Sequence, residues 1–206
     1  MIELLVAKGN INMNDLGAQP EQLEMESRLR VGVIMGSDSD LKVMRHAGRA
    51  LTRLGLVNYL DYEDRVISAH RTPKKMIEYA NDAEDRGIQV IIAGAGGSAH
   101  LPGMVASETA LPVLGVAITS SPDTLNRALG SMIGMPEGKP LATFQAEAGA
   151  FNAGLFAARI LALHDPELHQ AYKEYEIQLR DQVCAKDDLL SSLGAENYLA
   201  RQAEQS

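Results

Sequence analysis

The residues best able to do chemistry in this sequence stand in three short runs. In Ser68-Ala69-His70-Arg71-Thr72-Pro73, an imidazole sits beside a guanidinium. Histidine is the side chain that gives and takes a proton near neutral pH, and arginine presents a planar fork of donors that fits a phosphate. Packing has no obvious need for such a pair, although an exposed loop can carry both. In Gly36-Ser37-Asp38-Ser39-Asp40, the hydroxyls of Ser37 and Ser39 join the free N–H groups of a helix start to make an anion site, and Asp40 can accept from a ribose diol. Ser and Asp are also the favoured helix caps, so this run alone supports either reading. In Gly94-Ala95-Gly96-Gly97, continued by Ser98-Ala99-His100-Leu101-Pro102-Gly103, the glycines let the backbone come close to a ligand and turn its N–H groups toward a carboxylate or carbon dioxide. A tight strand-to-helix turn explains the glycines equally well, and His100 reads as a buried hydrogen-bonding histidine as readily as a catalyst.

Each run follows a short apolar segment and precedes a stretch of helical length. Val31 to Met35 reads as a buried strand that feeds Gly36 to Asp40 and a helix to about Leu54. A second strand is expected within Asn58 to Ile67, then the turn Ser68 to Pro73 and a helix to about Arg86. Val90 to Ala93 is apolar on both faces, as a central parallel strand should be, with a helix following from about Ser98 to Thr109. A strand at Pro112 to Val116, a helix at Asp123 to Ile133, a strand at Leu141 to Phe144 and a helix at Glu147 to Leu163 complete the pattern. Such alternation predicts an α/β fold, a three-layer flavodoxin-like parallel sheet with helices on both faces, plus a C-terminal helical tail. In such sheets ligands bind beyond the carboxyl ends of the strands, where all three runs lie. Residues 1–28 show no sustained period and read as an N-terminal extension, 29–165 as the α/β catalytic domain, and 166–206 as the polar tail.

Composition narrows the function. With 46% hydrophobic and 22% charged residues, the chain of 206 is an ordinary globular one, and its net charge of -8 argues against broad nucleic-acid binding. No apolar run approaches the roughly 20 residues of a membrane helix, and no basic segment with an apolar core opens the chain, so a cytoplasmic protein without membrane contact is expected. Cys184 is the only cysteine, which rules out an internal disulfide and a cysteine-built metal site. No His/Asp/Glu spacing indicates a metal, the glycine spacing is not the dinucleotide fingerprint, and neither a Gly-x-Ser-x-Gly elbow nor a Walker loop occurs. His46, His164 and His169 read as packing or surface residues.

Taken in order, the runs at Gly36–Asp40, Ser68–Pro73, Ala93–Gly103, Pro112–Val116 and Met135–Pro140, with the helix holding Asn152, Ala157, Ala158 and Ile160, resemble the 5-(carboxyamino)imidazole ribonucleotide mutases, the class I PurE family. The resemblance spans about Val31 to Asp165. It implies an isomerase of purine biosynthesis that moves a carboxylate from nitrogen to carbon by decarboxylation and recarboxylation in one site, with no cofactor. It also implies roles: His70 as general acid and base, Ser37, Ser39, Ser68 and Arg71 around the phosphate, Asp40 on the ribose, the main chain at Ala95 and Gly96 on the migrating carboxylate, and His100 close by. A homo-octamer is implied as well. The Ala- and Gly-rich helix from Glu147 is expected to be buried on two sides, and the tail to pack on a neighbouring subunit. The chain departs from the family over Ala117 to Gly134, including Ser120-Ser121-Pro122-Asp123, and residues 1–28 have no counterpart.

Other readings stay open at this point. The related carboxylase that takes carbon dioxide directly has lysine after the histidine and an arginine-serine pair in the glycine loop, where this chain has Arg71 and Gly97-Ser98. A nicotinate-type nucleotide carboxylase on a similar domain is a weaker choice. A flavodoxin-like nucleotide-binding module without chemistry is the alternative of another class, and it has no use for His70.

Overall fold

In the computed structural model, residues 29–119 and 122–204 are described; the predicted N-terminal extension and Ser120-Ser121 lie outside them. Five parallel strands, β1 (Val31–Met35), β2 (Tyr62–Val66), β3 (Val90–Gly96), β4 (Val113–Ile118) and β5 (Ala142–Gln145), form one sheet in the order β2-β1-β3-β4-β5. That order is the flavodoxin-like winding, with its reversal between β1 and β3. Two apolar layers follow from the period-2 alternation of the strands. Val31, Val33 and Met35 face α1 (Leu41–Arg53) and α5 (Ala146–Leu161), whereas Ile34, Ile91 and Ala93 face α2 (Pro73–Asp82), α3 (His100–Glu108) and α4 (Pro122–Ile133).

Local chemistry explains the helices that frame the site. α1 buries Met44, Ala47, Gly48 and Leu51, spaced i, i+3, i+4, i+7, so one stripe meets the sheet and the other face meets solvent. α5 runs close against it because Gly154 has no side chain: a Cβ there would lie 2.5 Å from the Ala47 carbonyl oxygen. The small residues predicted to be buried on two sides thus serve a close contact with α1, while Phe156 stays 41% exposed. Beyond α5, Asp165 caps α6 (Pro166–Leu193) by accepting from the Leu168 N–H at 3.0 Å, and Arg30 donates to its other oxygen. Arg30 also reaches Asp61 at 3.2 Å, tying the foot of β1 to the start of the tail.

Several boundaries differ from those expected. α2 ends at Asp82 rather than near Arg86, because the chain turns back through Gly87, where φ is +87°. β3 continues through Gly96, so Gly94 to Gly96 belong to the strand and pair with Val116 to Ile118. α3 starts at His100 rather than Ser98, since Ala99 adopts the left-handed conformation that stops a helix from extending backward. The tail is two helices, α6 and α7 (Ala195–Glu204), broken at Gly194 with φ +74°. Among the described residues no helix is long and apolar enough to cross a membrane.

Candidate active site

The loops leaving β1, β2 and β3 converge on one cavity of about 270 Å³, at the reversal of strand order. Of the residues singled out from sequence, Ser37, Asp40, Ser68, His70, Arg71, Ala95, Gly96 and His100 line it. Ser39 does not; it stands behind Ser37, donating its hydroxyl to Ser37 Oγ at 2.9 Å. Gly36, Ala69, Ala99 and Leu101 complete the lining. Size does not select this cavity, since a cleft of about 640 Å³ lies between α1 and α6, but the two imidazoles, the serine hydroxyls, Asp40 and Arg71 singled out from sequence are gathered here.

The β1 loop caps a helix start, as one of its two readings expects, and the capping residues also line the cavity. Ser37 caps a short 3₁₀ turn over Asp38–Asp40, accepting from the Ser39 N–H at 3.3 Å, while Asp40 Oδ2 accepts from the Ser37 N–H at 3.1 Å. This reciprocal cap fixes the hydroxyl and the carboxylate that line the cavity. Asp40 is 9% exposed. Burial is the main reason its carboxyl holds a proton more tightly than an ordinary aspartate; nearby Asp38 adds to this, and the Ser37 N–H and Arg71 oppose it.

Thr72 organises the β2 loop. Its hydroxyl donates to the Ser68 carbonyl and accepts from the Ser68 N–H, both at 3.0 Å, closing a turn that throws His70 and Arg71 outward. Arg71 then bridges loops, donating to Ser68 Oγ at 3.4 Å and to the Gly36 carbonyl at 3.3 Å. Its guanidinium is thereby held beside the Ser68 hydroxyl and the Gly36 carbonyl with donor capacity to spare.

His70 meets His100 across the cavity, Nε2 to Nδ1, at 2.9 Å, with the rings edge to face at 78°. One imidazole donates and the other accepts, so a proton lies between the β2 and β3 loops. His100 is exposed at the first position of α3, which corrects the alternative of a buried histidine.

The glycine cluster divides by function. Gly94 is a packing residue, because a Cβ there would lie 2.2 Å from Met44 Sδ. Gly96, the exposed last residue of β3, opens the backbone to the cavity; Gly97, with φ +63°, makes the turn. Ala99 is the residue that sequence reasoning missed. It sits at φ 30° and ψ 47°, buried, its N–H donating to the Gly96 carbonyl at 3.2 Å, and it sets where α3 and His100 begin. An alanine gives no sign of a left-handed backbone.

With this geometry in place, comparisons with known proteins are decisive. The AIR carboxylase family matches residues 30–182. The N5-carboxyaminoimidazole ribonucleotide mutase of Thermotoga maritima is 52% identical over 172 residues, 82% of this chain and 96% of the relative. The protein of the same name from Pyrococcus horikoshii is 48% identical over 170 residues, 82% of this chain and 93% of the relative. Among solved structures, Treponema denticola PurE superposes with a TM-score of 0.70 at 27% identity, over 79% of this chain and 99% of that one. A profile that matches most of the chain, relatives near half identity along almost their full length and a shared fold together establish that this chain belongs to the AIR carboxylase family.

Proposed function

We propose that the protein is an N5-carboxyaminoimidazole ribonucleotide mutase, an isomerase of purine biosynthesis that carries a carboxylate from the exocyclic nitrogen of an aminoimidazole ribonucleotide to a ring carbon. The observation that supports this best is the meeting of His70 with His100 in a cavity also lined by Ser37, Asp40, Ser68, Arg71 and the end of β3. A binding module needs an anion site and a ribose acceptor; it does not need two imidazoles sharing a proton where the nucleotide base would lie.

In this reading the substrate phosphate rests on Arg71, Ser37 and Ser68, with Ser39 holding Ser37, and Asp40 accepts from the ribose. Protonated His70 gives its proton to the carbamate nitrogen as the N–C bond breaks, its electron pair returns to nitrogen, and carbon dioxide is released beside the main chain of Ala95 and Gly96. The nucleophilic ring carbon then attacks the carbon dioxide to form the new C–C bond. His70, now neutral, removes the ring proton and returns to its starting state, so no net acid, base or cofactor is consumed. His100 accepts or donates across the 2.9 Å bond and holds the His70 ring in line. Keeping water out matters, because free carbon dioxide would otherwise escape.

Arg71 and Gly97-Ser98 stand where the family resemblance separates mutases from carboxylases, and they favour the mutase. A cytoplasmic homo-octamer is part of the proposal, supported by exposed apolar side chains such as Ile133 at 70% and Leu163 at 77% and by the exposed free thiol of Cys184. Incubating the purified protein with the carbamate nucleotide and following the carboxylated product spectroscopically tests the function. Rapid conversion without added bicarbonate is expected, and none at all would contradict it.

A further inference from the structure

His70 carries the proton chemistry proposed above, yet few contacts hold it. Its ring bonds only to His100, at 2.9 Å, and among the described residues its main chain makes no hydrogen bond. It stands exposed between two fixed points. On one side Ala69, 6% exposed, packs in the apolar layer that holds Ile34 and Ile67. On the other side Thr72 binds the Ser68 peptide groups three times: its hydroxyl accepts from the Ser68 N–H and donates to the Ser68 carbonyl, both at 3.0 Å, and its own N–H donates to that carbonyl at 2.8 Å.

Thr72 is also the residue from which α2 departs, and a threonine in that place ordinarily turns its hydroxyl onto a free N–H of the first helical turn. Here the hydroxyl makes no bond to α2 and reaches back to the loop instead. A hydroxyl bonded to nearby main chain fixes the backbone locally, and branching at Cβ limits the rotation of the side chain that carries it. Residues 68–72 are thus closed into a ring by a side chain diverted from the helix. Arg71 has supports of its own: its main-chain N–H and Nε donate to Ser68 Oγ at 3.3 and 3.4 Å, and Nη2 donates to the Gly36 carbonyl at 3.3 Å. Of the two side chains in this turn that bear chemistry, His70 is therefore the one whose direction rests on the clasp.

We propose that Thr72 is a positioning residue for proton transfer: its hydroxyl, clasped on the Ser68 peptide groups, sets the direction in which His70 leaves the β2 loop and keeps its Nε2 in reach of His100 and of the substrate. The consequence for the reaction rests on the mutase reading, in which His70 moves the proton; the geometric part does not. Misplacing a reacting group by about 1 Å costs on the order of 10²-fold in rate, so a clasp that touches neither substrate nor His100 still acts on turnover.

The test compares the full-length protein with Thr72→Val, which keeps the branched shape and removes the hydroxyl, and with Thr72→Ser, which keeps the hydroxyl. With the carbamate nucleotide as substrate, Thr72→Val should lower kcat by about 10- to 100-fold and leave KM near the parent's value, and Thr72→Ser should recover most of the loss. Because Thr72 makes no capping bond, the denaturation midpoint should move little. Thr72→Ala makes the same comparison should the valine disturb folding. Crystal structures of parent and variants give a readout that needs no activity: the His70–His100 bond should persist in the parent and in Thr72→Ser and be broken in Thr72→Val. If the parent itself fails to convert the nucleotide, the mutase reading falls and the structures still decide the clasp. Parental kcat in Thr72→Val, equal losses in the valine and serine variants, or an intact His70–His100 bond without the hydroxyl would each overturn the proposal.

Discussion

At the scale of the residue, His70 carries the account. His70→Asn keeps much of the shape and removes the proton, so kcat should fall by about 10²–10⁴-fold with unchanged circular dichroism and little change in ligand affinity. Near-normal turnover would remove His70 from the mechanism. Arg71→Ala should act on KM instead, through the loss of a charge-assisted phosphate contact, and steady-state kinetics separates the two. Asp40 offers a test of opposite sign for stability and function. Its folded-state pKa is raised, so its contribution is most favourable when it is protonated, below the ordinary aspartate range, and is lost as pH rises through the folded value. Asp40→Asn should therefore raise the Tm at neutral pH and flatten its fall from mildly acidic to neutral pH, while weakening nucleotide binding; a lower Tm at neutral pH would argue that the charged form is the stabilised one. His70, Arg71 and the capping serines were legible in the sequence because their chemistry is strange at a strand end. Ala99 and Thr72 were not: a left-handed alanine and a threonine that closes a turn have ordinary side chains and act through backbone geometry.

At the scale of the element, the sheet places the three loops and the helices hold the sheet. The central strands were readable because buried parallel strands are unbroken apolar runs, and β1 falls where Val31 to Met35 predicts it, whereas β2, Tyr-Glu-Asp-Arg-Val at the sheet edge, could be placed only within Asn58 to Ile67. The end of β3 was not readable, since glycine reads as a turn whether it bends the chain or makes room for a neighbour. Gly94 makes room for Met44, and adding one methyl there should cost about 1–3 kcal/mol by overpacking. Gly94→Ala should lower the denaturation midpoint in proportion, whereas Gly97→Ala should act through its positive φ and not through a clash; equal stability of Gly94→Ala and the parent would contradict the packing role. The ionic anchor of the tail has a pH signature as well. Asp165 has a lowered pKa, first because the Leu168 N–H binds its charged form and then because Arg30 does, so its contribution is present above the ordinary aspartate range and lost as pH falls through the folded value. Asp165→Asn should remove that part of the acid dependence, which an acid-denaturation series of the two proteins measures.

At the scale of the whole molecule, assembly and catalysis meet. The cavity of a single chain is open, with both histidines exposed, and a reaction that releases carbon dioxide needs a closed vessel. Light scattering at micromolar concentration should return the mass of the proposed octamer, which the family resemblance implies, and a monomer would contradict that assembly. The central claim is that carbon dioxide never leaves the site between release and capture. The most direct measurement is to start the reaction with isotopic label in the carbamate, in a medium of unlabelled bicarbonate, under conditions where the carbamate does not break down on its own. A mutase should place nearly all of the label in the product carboxylate, and fresh product carrying mainly the medium's carbon would contradict the account and assign the protein to direct carboxylation.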